Sequence, residues 1–96
     1  MSNTDPAQQL YSLLATLTDE QEVGVFLRDL CTPAELKAMA DRWRVVGLLK
    51  QGVPYRKIHE LTGVGVSTVT RVARYITHGE GGYDLVYNKM QQEDEA

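Results

Sequence analysis

Few residues in this 96-residue chain could take part in covalent chemistry. Cys31 and Ser67 are the candidate nucleophiles, and His59 and His78 the candidate bases. Nucleophilic catalysis needs a nucleophile, a base beside it and a third group that orients the base. No such set occurs at a recognisable spacing. Cys31 follows Leu30 in an apolar run, where a thiol is a small core residue. His78 falls at the end of a helical stretch, where histidine satisfies terminal carbonyls. One cysteine excludes a cysteine-only zinc site, and the two histidines stand far apart without acidic partners at ligand spacing. The expectation is no enzyme, no catalytic residues, no metal and no cofactor.

The basic residues say more. The formal net charge of −3 argues against nucleic acid until its distribution is considered. From Arg42 to Arg74 stand Arg42, Arg44, Lys50, Arg56, Lys57, Arg71 and Arg74 against Glu60 alone, a balance of +6. The remainder holds three basic and twelve acidic residues, a balance of −9. A basic block inside an acidic chain focuses positive potential on one face. Its last part mixes arginine with hydroxyls: Ser67, Thr70, Arg71, Arg74 and Thr77, with no acid among them. Arginine bonds guanine bidentately, and serine and threonine reach bases or phosphates.

Such side chains need a scaffold to present them. Residues 54–77 read PYRKIHELTGVGVSTVTRVARYIT, two short helices joined through glycine, the layout of a helix-turn-helix. Ile58 and Leu61 are the inward residues of the first helix, Gly63 suits a positive φ, and Val64 is the apolar plug. On a wheel of about 100° per residue with Val66 at zero, Val69, Val72, Ala73 and Ile76 fall within about 120° of it. Ser67, Thr70, Arg71, Arg74 and Thr77 gather opposite as the groove-facing set. One position departs from the usual form. Four before the turn glycine, where a small residue is common, stands His59, which leaves the register of the first helix open.

The rest of the chain also reads as helix. Asp5-Pro6 is an N-cap with proline at N1, followed by a stripe of Leu10, Leu13, Leu14 and Leu17. Thr18 with Gln21 forms a capping box for a second helix carrying Val23, Phe26, Leu27 and Leu30. Thr32-Pro33-Ala34-Glu35 opens a third, expected to run to Lys50 or Gln51, where Gly52 stops it. That helix is apolar on two sides, Leu36, Met39, Trp43 and Val46 against Val45, Leu48 and Leu49, and so belongs at the centre. A glycine-rich loop from His78 to Gly82 precedes a last helix of about Tyr83 to Gln91, and residues 91–96 read as a frayed acidic tail. With 43% hydrophobic and 24% charged residues the chain is globular, one all-α domain over 1–96 with about six helices. So small a core invites pairing with a second subunit. No apolar run approaches the roughly 18 residues that span a membrane. Met1 to Pro6 has neither the charged nor the apolar part of a signal peptide, so a cytoplasmic location is expected.

From Leu30 to about Arg71 the chain resembles the Trp repressor family. The carriers are the capping box at Thr32 to Glu35, Arg42-Trp43-Arg44, Leu48-Leu49-Lys50-Gln51-Gly52, and Gly63-Val64-Gly65-Val66-Ser67-Thr68-Val69-Thr70-Arg71. The ends are similar to its YerC/YecD-type branch. The resemblance implies an intertwined dimer with two recognition helices about one DNA turn apart. It places Val66, Ser67 and Thr70 towards bases, and Arg56 and His59 beside the DNA. Lys57, Thr68, Arg71 and Arg74 complete the expected DNA-binding set. It also implies a corepressor site at Thr32, Arg42 and Arg71. Val72 stands where the family has glycine, and Tyr75 where the repressor has serine. Both add bulk at that site, so tryptophan is not the expected ligand, and any small-molecule effector is undefined. The expected function is a sequence-specific regulator, a repressor, binding double-stranded DNA as a homodimer. The alternative is a dimeric protein-interaction adaptor of the same fold without operator binding.

Overall fold

A computed structural model of the chain describes residues 5–95. The reading of the N-terminus rests largely on residues 1–4, outside the described part, as does Ala96 of the tail. Among the described residues the chain is all-α: α1 (Pro6–Leu14), α2 (Glu20–Leu30), α3 (Pro33–Arg44), α4 (Val46–Lys50), α5 (Tyr55–Thr62), α6 (Val66–His78) and α7 (Gly82–Glu95). Two compact units are distinguished, Met1–Leu36 and Lys37–Ala96, with the boundary inside α3. No helix among the described residues is long and apolar enough to cross a membrane.

Local capping fixes the helix starts in the first unit. The Asp5 side chain accepts the Ala7 N–H at 3.0 Å, with Pro6 in the first turn. The expected box of Thr18 and Gln21 does not form. Asp19 is the N-cap instead. Its carboxylate accepts the Glu22 N–H at 2.8 Å, while Glu22 reaches back to the Thr18 N–H at 3.2 Å. A carboxylate outcompetes a neighbouring hydroxyl because its charge also meets the positive end of the helix dipole. At α3 the box forms as expected: Thr32 Oγ1 accepts the Glu35 N–H at 3.1 Å and Glu35 accepts the Thr32 N–H at 2.8 Å.

The third helix is shorter than its pattern predicts. It ends at Arg44, and α4 begins at Val46. Val45 and Val46 are adjacent β-branched residues followed by Gly47, the weakest helix formers of the stretch. Both valines are fully buried, so packing overrides helical continuity there. This break turns the expected six helices into seven segments among the described residues.

Val45, Val46, Ile58, Val64, Val69 and Val72 form the core of the second unit. The short α4 packs against α5, α6 and α7, and so holds the central position expected of its parent helix. Trp43 is half-buried at the edge, its ring 6.4 Å from that of Tyr83. Two inward assignments change. Leu61 is 58% exposed, and Thr62, four residues after buried Ile58, takes its place, with its hydroxyl donating to the Ile58 carbonyl at 2.7 Å. Val66 is 43% exposed, at the margin of the buried side of α6 rather than within it.

The ends of the last two helices also move. α6 includes His78 and closes at Gly79, where a side chain would collide with the Tyr75 carbonyl. α7 runs from Gly82 through Glu95, so the described part of the tail is helical rather than frayed. Gln91, Gln92 and Glu93 are good helix formers and extend a helix already nucleated by the packed turn before them.

Candidate nucleic-acid interface

The site is built on α5, a turn and α6. Gly63 ends α5 with φ of 78°, a conformation natural to glycine, and its N–H donates to the His59 carbonyl at 2.8 Å. Val64 drops into the core as the plug, 4% exposed. α6 then starts at Val66 with no side-chain cap, leaving its first N–H groups open. Val69 and Val72 seal one side of α6 into the core. Ser67, Thr70, Arg71, Arg74 and Thr77 are exposed on the other. The interface set is therefore held by a helix whose orientation the core fixes.

The expected residues differ in how freely they can act. Arg56 is exposed in the first turn of α5. Among the described residues Arg56, Arg71 and Arg74 make no ion pair. Lys57 lies 3.9 Å from Glu60, a loose exposed pair that leaves it accessible. Thr68 is half-buried, the least accessible of the set. Thr70 donates its hydroxyl to the Val66 carbonyl at 2.9 Å, so the oxygen is presented outward as an acceptor. His59 turns back over the helix end, its Nδ1 2.9 Å from the Val64 carbonyl.

Other cations of the basic block serve the fold. Lys50 bonds Asp84 and lies 5.4 Å from the Tyr87 ring centroid, tying α4 to α7. Arg44 lies 3.6 Å from Asp41, whose carboxyl is held below its ordinary pKa chiefly by the hydrogen bond from Lys37. Of the seven cations of the block, Arg56, Lys57, Arg71 and Arg74 lie together on α5 and α6. Tyr55 carries no sequence motif of its own beyond its place at the head of α5, beside Arg56. With Thr70, Ala73, Arg74, Thr77 and His78 it lines an open groove of about 520 Å³ along α6.

The expected corepressor residues are divided between the two compact units. Thr32 belongs to the first unit, where its hydroxyl caps α3 and its carbonyl accepts the Leu36 N–H at 3.0 Å. Arg42 and Arg71 belong to the second. Arg42 is half-buried and Arg71 exposed. The Arg71 guanidinium lies 4.8 Å from the centroid of the Tyr75 ring, so this side chain already covers one of its faces. Val72 points into the core rather than into any surface site. Of Val72 and Tyr75, Tyr75 is the exposed one.

Residues 6–91 match the family model for the Trp repressor protein. The chain is 32% identical to the uncharacterized protein YerC of Bacillus subtilis (strain 168), over 88% of its own length and 81% of that protein. It is 40% identical to a Trp operon repressor homolog of Photobacterium profundum, over 74% of the chain and 70% of the relative. A crystal structure of a TrpR-like protein from Eubacterium eligens superposes with a TM-score of 0.84 at 31% identity, covering 92% of each chain.

Proposed function

The chain belongs to the Trp repressor family, and from that premise we propose that it is a sequence-specific DNA-binding transcription regulator, a repressor. α6 enters the major groove, and the protein acts as a cytoplasmic homodimer. The observation that carries this reading is the exposed side of α6. Arg71 and Arg74, with Ser67, Thr70 and Thr77, lie on a helix without a single acid, opposite a side sealed by Val69 and Val72. The N-terminal half, Val66, Ser67 and Thr70, reads base edges, while Arg56, Lys57, Thr68, Arg71 and Arg74 place the helix against the backbone. Exposed apolar side chains on α1, α2 and α7, among them Tyr11, Val25, Leu30, Leu85 and Met90, support pairing with a second copy. Tyr75 against Arg71 supports DNA binding without a tryptophan corepressor.

Salt dependence tests this reading. Arg56, Lys57, Arg71 and Arg74 from each of two subunits imply a slope of about −7 in log affinity against log salt, roughly a 10⁴-fold loss between 50 and 200 mM. Fluorescence anisotropy with labelled duplex DNA would measure it. Saturating tryptophan is expected to change the affinity by less than about twofold. No binding at 50 mM salt would leave the adaptor as the surviving function. A tenfold rise with tryptophan would restore the corepressor site at Arg42 and Arg71.

A further inference from the structure

We infer that His59 is a positioning residue of the helix-turn-helix, its Nδ1–H clamping the Val64 carbonyl across the turn and fixing how α6 leaves α5. The effect on DNA rests on the function proposed above, whereas the clamp itself does not. Three other hydrogen bonds stitch the same turn. The Gly63 N–H donates to the His59 carbonyl at 2.8 Å, the Val64 N–H to Thr62 Oγ1 at 3.0 Å, and Thr62 Oγ1 to the Ile58 carbonyl at 2.7 Å. These hold the chain as far as the Val64 amide. The His59 bond, at 2.9 Å, holds the far side of that residue, the carbonyl that leads into α6.

The chemistry fixes the tautomer. A carbonyl oxygen only accepts, so the facing Nδ1 must carry hydrogen. In the neutral ring Nε2 is then unprotonated. Val64 is the buried plug, so a shift of its carbonyl moves a core residue as well as the start of the recognition helix. The small residue usual at this position could not make the bond. The departure at His59 is therefore a substitution of a hydrogen-bonded clamp for close packing.

Two measurements test it. Long-range proton–nitrogen NMR of the free protein, with the ring in its neutral form, is expected to show Nδ1 protonated and Nε2 pyridine-like. The opposite tautomer would overturn the clamp. His59→Ala is expected to weaken DNA binding about three- to tenfold and to speed amide exchange at Val64 and Gly65, since the binding-competent turn is less populated. His59→Asn carries an amide nitrogen at the branch corresponding to Nδ1 and is expected to restore both within about twofold. The salt slope of His59→Ala is expected to match that of the wild type. A slope reduced by about one per subunit would make His59 a direct phosphate contact instead. Unchanged affinity in His59→Ala, or an Asn variant no better than Ala, would also overturn the proposal. Should the wild type bind no DNA, the functional reading fails by itself, while the tautomer and the exchange rates still decide the clamp.

Discussion

Replacing Arg71 and Arg74 together with alanine is expected to cost at least about 10³-fold in affinity for duplex DNA, with helicity and Tm unchanged. Each arginine offers a charge-assisted hydrogen bond of about 1.5–3 kcal/mol, and a dimer loses four of them. A 10³-fold loss is only about 4 kcal/mol, which discounts heavily for screening by solvent and salt. The fold does not depend on either side chain. Both are exposed and neither makes an ion pair among the described residues, and the core lies on the opposite side of α6. Anisotropy and circular dichroism on the same preparation check both halves of the expectation. Affinity retained in a folded double variant would move the DNA face away from α6.

Ile58→Ala is expected to destabilise the protein by about 2–4 kcal/mol, whereas Leu61→Ala changes it by less than about 0.5 kcal/mol. Ile58 is fully buried in a core it shares with five valines. In a chain this small, about 2–4 kcal/mol is a large part of the total stability and lowers Tm by roughly 10–25 °C. Leu61 projects from the same helix but is mostly exposed. Thermal unfolding of the two variants side by side separates these positions. A Leu61→Ala loss as large as that of Ile58→Ala would contradict the inward role of Thr62.

The features legible in the sequence are those set by short-range rules or by a strong period. The capping box at Thr32 and Glu35 is a four-residue pattern, and it forms as read. The turn at Gly63 with its Val64 plug needs only one residue that tolerates positive φ and one apolar neighbour, and both are in place. The features missed depend on competition between neighbours or on distant partners. Thr18 and Asp19 can both cap α2, and the charged group wins. Leu61 and Thr62 can both follow Ile58 inward, and the threonine, four residues on, takes the place with its hydroxyl donating a hydrogen bond to the Ile58 carbonyl.

The basic block shows the same division. The excess of charge from Arg42 to Arg74 is plain from composition, but its use is not. Lys50 is bound by Asp84, 34 residues away, and only the packing of α7 on α4 brings them together. Arg71 is visible in the sequence as a cation of α6. Its contact with Tyr75, one helical turn on, follows from spacing but depends on a rotamer that the sequence does not specify. That contact and the burial of Val72 separate two residues that the sequence alone treats alike: Val72 packs inward, while the Tyr75 ring lies on the Arg71 guanidinium.

Whether the protein selects among DNA sequences is decided by enrichment from a random duplex library. The purified protein would be incubated with the library at near-physiological salt without added ligand, and the bound fraction sequenced over several rounds. The expected result is a palindrome whose half-sites lie about one helical turn, roughly 10 base pairs, apart, as two α6 helices of a dimer would require. Weak binding spread evenly over all sequences, with no enriched half-site, would contradict sequence-specific recognition by α6.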